Sequence, residues 1–147
     1  MKIAVIGAGN MSEAILAGVI KQGVLRAEQF IVSDPLAGRR EHMQATYGVL
    51  ATEQNDQAVA TADVIMLAIK PQVFPAVWEG LQAQLPASAL VVSIMAGISA
   101  ASIEQGSMLR VVRVMPNTPS LVGRGAAGVA KGAHATCLLY TSPSPRD

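Results

Sequence analysis

Apolar runs alternate along the chain with segments whose apolar positions recur at helical spacing. Strands are expected at Lys2 to Ile6, Phe30 to Ser33, Asp63 to Ile69, Leu90 to Ile94, Leu109 to Met115 and Ala126 to Ala130. Between them, Met11 to Lys21, Ala37 to Tyr47, Asp56 to Ala60, Gln72 to Leu85 and Ala100 to Gln105 carry helix-forming or amphipathic composition. Repeated strand-helix units of this kind assemble a parallel sheet. The run Val64-Ile65-Met66-Leu67-Ala68-Ile69 is apolar without alternation, as needed when helices cover both sheet faces. The expected fold class is α/β, a doubly wound and mostly parallel sheet. Prolines punctuate that order: Pro35 and Pro71 follow strands, Pro86 ends a helix, and Pro116 and Pro119 bracket a loop.

In open sheets of this class, ligands lie in the crevice outside the carboxyl ends of the strands. That rule places Gly7 to Met11, Ser33-Asp34, Lys70-Pro71, Met95 to Gly97 and Asn117-Thr118 on one rim. The first of these carries the clearest chemistry. The strand Ile3-Ala4-Val5-Ile6 runs into Gly7-Ala8-Gly9, and Met11, Ala14, Ile15, Gly18 and Val19 then form the apolar face of a helix. Gly7 permits a tight turn, and Gly9 removes the Cβ that would hold a phosphate off the backbone. The helix start offers free N–H groups and the positive end of its dipole. Ser12 stands where the dinucleotide fingerprint has Gly or Ala, and is still small enough for close packing. A bare two-glycine turn also fits an ordinary strand-helix connection. The strand-turn-helix context points to a pyrophosphate.

Composition narrows the partners. A chain of 147 residues, 51% of them hydrophobic, is long enough for one domain with a proper core. With 14% charged residues and a formal net charge of +1, it carries no basic stripe for nucleic acid. A small molecule is the expected partner. Cys137 is the single cysteine, which excludes an internal disulfide framework and fits a reducing cytoplasm. Asn10, Ser12 and Glu13 interrupt the apolar start, so no export signal is read there. The stretch from Ala87 to Ile98 is too short to span a bilayer.

The motifs resemble those of pyrroline-5-carboxylate reductase, over about residues 1–135. They are Ile6-Gly7-Ala8-Gly9-Asn10-Met11, Ala68-Ile69-Lys70-Pro71-Gln72, Val91-Val92-Ser93-Ile94 before Ala96-Gly97-Ile98, and Arg113-Val114-Met115-Pro116-Asn117-Thr118-Pro119-Ser120-Leu121-Val122-Gly123. The last is highly specific. The resemblance implies a Rossmann-like dinucleotide-binding domain at residues 1–135. The implied activity is hydride transfer from NADPH, or alternatively NADH, to 1-pyrroline-5-carboxylate, giving L-proline; the alternatives are a non-catalytic dinucleotide-binding fragment or another NAD(P)-dependent dehydrogenase of the same fold. In that family the substrate site lies between this domain and a C-terminal helical domain that also forms the dimer, and that domain is expected to be missing from these residues. Residues 136–147, with Ser142-Pro143-Ser144-Pro145, break the style of the preceding chain. They read either as foreign or out-of-frame sequence or as a natural disordered tail. An uncovered domain face predicts marginal stability and self-association.

The same resemblance assigns residue roles. Ile6, Gly7, Ala8, Gly9, Asn10 and Met11 form the turn that wraps the pyrophosphate through backbone N–H groups. Ser33 and Asp34 stand where ribose specificity is decided. Asp34 favours a free 2′-hydroxyl and repels a 2′-phosphate, while Arg39 and Arg40 close behind either supply guanidinium forks or form a solvated helix face. Asp34 itself is alternatively a helix cap. Asn55 is either a polar contact on the adenosine side or a helix cap. Ala68, Ile69, Lys70 and Pro71 run beside the ribose and pyrophosphate; a lone Lys70 is otherwise a solvated charge. Ile94, Met95 and Ala96 line the nicotinamide side, where Met95 departs from the family's Ala and either crowds the ring or faces the core. Asn117 and Thr118, held by Pro116 and Pro119, border nicotinamide and substrate or satisfy their own turn. No catalytic residue is identified, and Asn117, Thr118 and Lys70 are the nearest candidates. His42 and His134 have no metal-ligand spacing and read as surface residues.

Overall fold

A computed structural model describes residues 1–116 and 127–135. Asn117 and Thr118, with Pro119 and the segment 136–147, lie outside the described residues.

The chain alternates strand and helix as β1 (Ile3–Ile6), α1 (Asn10–Lys21), β2 (Phe30–Ser33), α2 (Ala37–Tyr47), β3 (Leu50–Thr52), α3 (Asn55–Val59), β4 (Val64–Leu67), α4 (Phe74–Leu81), β5 (Leu90–Ser93), α5 (Ala100–Glu104), β6 (Arg110–Pro116) and β7 (Ala127–Lys131). Together the strands form one seven-stranded sheet in the order β3-β2-β1-β4-β5-β6-β7. The first six are parallel to their neighbours, and β7 runs antiparallel to β6. Strand order reverses at β1, which separates β2 from β4 and makes the crevice expected of a doubly wound sheet.

Two apolar clusters cover the two faces, and the alternation inside single strands feeds both. From β1, Ala4 and Ile6 join Ile65, Leu67, Val91, Phe74, Trp78, Leu81 and Ile103 on one face. Val5 points to the other, where it meets Val32, Met66, Leu16 and Met43. An all-apolar β4 is thus divided, with Ile65 and Leu67 on one side and Met66 on the other. That division is the reason its sequence shows no polar alternation.

Three expectations change. The short edge strand β3 is absent from the sequence reading because Leu50-Ala51-Thr52 has no apolar run and Leu50 is exposed. The helix expected from Gln72 to Leu85 is a composite: 3₁₀ turns at Pro71–Val73 and Gln82–Gln84 flank α4. β6 extends one residue past its expected end at Met115, to Pro116, which pairs with Ala127, and the loop expected between Pro116 and Pro119 lies outside the described residues.

Candidate dinucleotide cleft

Backbone hydrogen bonds carry the ladder one residue past several strands and so align their carboxyl ends. Gly7 N–H donates to Ser33 O at 2.8 Å, Ala68 N–H to Ile6 O at 2.8 Å, and Ile94 N–H to Leu67 O at 3.1 Å. Above the β2-β1-β4 part of this rim lies an open cleft of about 490 Å³. Its floor and walls are Gly7, Ala8, Gly9, Asn10, Asp34, Pro35, Leu36, Arg39, Ala68, Ile69, Lys70 and Val73.

The glycine turn is built as its sequence suggests. Gly7 has φ +103°, and a Cβ there would come within 2.7 Å of the Ala68 carbonyl oxygen. Gly9 is the cap residue of α1 with extended backbone and no side-chain cap. A Cβ on Gly9 would meet no protein atom within 4 Å, so the room it leaves belongs to the cleft. The first helical bond is Glu13 N–H to Gly9 O at 3.0 Å, which leaves the N–H groups of Asn10, Met11 and Ser12 outside the ladder. An open cradle with unpartnered helix-start amides fits a phosphate-bearing ligand. Ser12 is buried, and its hydroxyl lies 2.8 Å from Gly7 O and 3.0 Å from Gly9 O, tying the turn to the helix it opens.

Ala8 behaves differently from its expected role. Its N–H is already taken, donating to Asp34 Oδ2 at 2.8 Å. Asp34 Oδ1 accepts from Leu36 N–H at 2.8 Å, so the carboxylate bridges the glycine turn and the entry to α2. Arg39 and Arg40 do not form a solvated helix face. Arg39 Nε donates to Ala8 O at 2.6 Å and its Nη2 to Glu13 Oε2 at 2.7 Å, while Arg40 Nη1 donates to Asp34 O at 2.8 Å.

Glu13 is the centre of a group that the sequence reading did not assemble. Its Oε1 lies 2.6 Å from His42 Nε2 and accepts from Tyr47 Oη at 2.7 Å. Burial alone would raise its pKa, but hydrogen bonds from Arg39, His42 and Tyr47 outweigh that and hold it at about 2. Burial, with the hydrogen bond to Glu13, pushes the Tyr47 hydroxyl above its ordinary value. His42 is exposed as expected, yet paired. The only local signal was an acidic residue in the first turn of a helix.

The remaining predicted residues divide between cleft and elsewhere. Asn10, Ala68, Ile69 and Lys70 border the cleft with the glycines; Lys70 is exposed and opens the 3₁₀ turn that begins with Pro71. Ile6 is buried in β1 and Met11 is half-buried on α1. Ser33 is buried and its hydroxyl donates to Asn55 Oδ1. Asn55 is not a cap; it is the first residue of α3, whose cap position is Gln54 with no side-chain cap bond, and it lines a separate groove with Glu53 and Asp56. Ile94 packs against the second cluster, Ala96 is exposed, and Met95 is 2% exposed in the first core cluster. Leu36 and Val73, 64% and 45% exposed, are apolar cleft walls that sequence reading passed over. An apolar pair on a cleft suits a flat base. Among the described residues no group of three or more His, Cys, Asp or Glu is arranged to hold a metal ion, and no helix is long and apolar enough to cross a membrane.

Comparison with known proteins agrees with this geometry. Residues 2–97 match the family described as NADP oxidoreductase coenzyme F420-dependent. The pyrroline-5-carboxylate reductase of Pseudomonas aeruginosa is 44% identical over 134 residues, covering 90% of this chain and 49% of the relative. The solved pyrroline-5-carboxylate reductase of Coxiella burnetii superposes with a TM-score of 0.87 at 34% identity, over 92% of this chain and 51% of its own. That of Plasmodium falciparum, with NADP bound, does so with a TM-score of 0.81 at 25% identity, over 94% of this chain and 50% of its own. The chain therefore spans about half the length of the curated relatives it matches. Glycine turn, strand order and these matches together establish that the chain belongs to the NADP oxidoreductase coenzyme F420-dependent family and is similar throughout its described domain to the pyrroline-5-carboxylate reductases.

Proposed function

We propose that this chain is the cofactor-binding part of a pyrroline-5-carboxylate reductase, acting in the cytoplasm in a homo-oligomeric enzyme. The observation that carries this reading is the cleft in which the glycine turn, Asp34 and Ala68 to Lys70 meet at the point where strand order reverses. When bound, a reduced nicotinamide dinucleotide supplies a hydride to the C=N carbon of the protonated cyclic imine, giving L-proline and the oxidised cofactor. The residues of the chain have positioning work to do. Helix-start amides at Asn10 and Met11 face a pyrophosphate, Lys70 adds a cation to that edge, and Leu36 and Val73 hold the adenine. Ile94, Met95 and Ala96 stand at the strand end assigned to the nicotinamide, with Met95 contributing through the core beneath it. Asn117 and Thr118 are the proposed substrate-side groups.

A protonated imine is already electrophilic, so holding the hydride donor against it accounts for much of the rate. Fluorescence titration of the 147-residue chain with reduced nicotinamide dinucleotides tests the binding function. An assay for proline formation, run with the chain alone and in the full-length enzyme, tests the reductase function. Saturable binding without turnover by the chain alone supports a second reading, a non-catalytic dinucleotide-binding fragment. Absence of binding overturns both.

A further inference from the structure

We infer that the ribose end of the cleft is built for an unphosphorylated ribose diol, with Asp34 as the selecting residue, so that this chain binds NADH in preference to NADPH. The inference rests on the dinucleotide reading above and adds to it the choice of cofactor.

Asp34 is half-buried on the cleft wall immediately after β2. Its carboxylate is not a free rotor. Oδ2 accepts from the Ala8 amide and Oδ1 from the Leu36 amide, each at 2.8 Å. Two fixed bonds use two of the roughly four acceptor positions of a carboxylate, leaving acceptor capacity on both oxygens. Ribose 2′- and 3′-hydroxyls are donors that satisfy it. A 2′-phosphate presents mainly acceptor oxygens near neutrality and brings about −1.5 to −2 charge against an existing negative one.

Such a phosphate is tolerated where unengaged cations surround it. Here the two nearest in sequence are engaged. Arg39 is turned onto the Ala8 carbonyl and balanced by Glu13 at 2.7 Å. Arg40 holds the backbone carbonyl of Asp34 and has Glu53 4.0 Å away. Both guanidinium groups are thus already engaged, and among the described residues neither is ion-paired with the Asp34 carboxylate. Lys70 follows β4, which lies on the other side of β1 from β2 in the sheet order. The family is described by NADP, and the Plasmodium falciparum structure contains it; the preference for NADH is drawn from the chemistry around Asp34 in this chain.

Isothermal titration of the 147-residue chain with NADH and with NADPH decides the matter. The expected result is NADH binding tighter by about tenfold or more, as one uncompensated like-charge contact requires. Asp34→Ser, and Asp34→Asn should the first fail to fold, remove the charge and are expected to close most of that gap. Glu13→Gln leaves Arg39 without its counter-ion and should narrow the gap in the same direction by a smaller factor. Equal or tighter binding of NADPH by the unaltered chain overturns the inference while leaving the dinucleotide reading intact. Binding of neither nucleotide overturns both.

Discussion

Gly7 lies against Ala68 so closely that a side chain at residue 7 has no place to go: its Cβ would stand 2.7 Å from the Ala68 carbonyl oxygen and 2.9 Å from the carbonyl carbon. Both atoms are backbone, fixed by the Ala68 N–H bond to Ile6 O. The turn after β1 and the exit from β4 are thus locked together, and they form adjacent parts of the cleft. Gly7→Ala combines a clash with a φ of +103° that L residues rarely adopt. It should cost about 2–4 kcal/mol of stability and abolish dinucleotide binding, measured by urea unfolding and fluorescence titration. An unchanged unfolding midpoint would show that the two loops separate freely.

The Glu13 cluster makes a pH prediction with a definite sign. The folded pKa of Glu13 is lowered from 4.5 to about 2, so its contribution is fully present above 4.5 and is lost as pH falls towards 2. The stability gap between the unaltered chain and Glu13→Gln should be full at neutral pH, narrow below 4.5 and close near 2. A gap that persists unchanged at the acid end would mean that the carboxylate charge is not its source.

Lys70 separates binding from folding. It is exposed, and its side chain has no ion-pair partner among the described residues, yet it borders the cleft. Lys70→Ala should leave stability within about 0.5 kcal/mol of the unaltered chain. Dinucleotide affinity should fall about tenfold, the scale of one charge-assisted contact. Equal affinity in titration would remove Lys70 from the proposed site.

Trp78 ties α4 to the first apolar cluster. It stacks on Phe74 with ring centroids 5.6 Å apart, and its Nε1–H donates to Ile103 O at 3.2 Å. Trp78→Phe should cost about 1–2 kcal/mol for the lost hydrogen bond and volume, and Trp78→Ala about 3–5 kcal/mol. Denaturant unfolding followed by circular dichroism checks both. Similar small losses in the two variants would indicate that α4 is not held through this residue.

Local pattern was enough for the elements whose burial is uniform. β1, β2, β4 and β5 read directly because a central strand covered on both faces must be apolar at nearly every position. The glycine turn read equally well, since a tight turn and a close backbone approach each demand a missing Cβ. β3 escaped because an exposed edge strand is held by backbone pairing, which leaves little trace in three residues. The direction of β7 escaped for a related reason, as apolar composition is the same whichever way a strand runs.

Spacing between near neighbours was enough for the fold class, the order of strand and helix apart from β3, the glycine turn after β1 and the kinship with the pyrroline-5-carboxylate reductases. It could not decide whether Asp34, Arg39 and Arg40 face a ligand or one another. Ala8 and Asp34 are 26 residues apart, as are Glu13 and Arg39. Only the packing of α1 and α2 beside β1 and β2 brings those groups within hydrogen-bond distance. Charge carried by a residue is written in the chain; whether that charge is left for a ligand depends on which distant partner reaches it first.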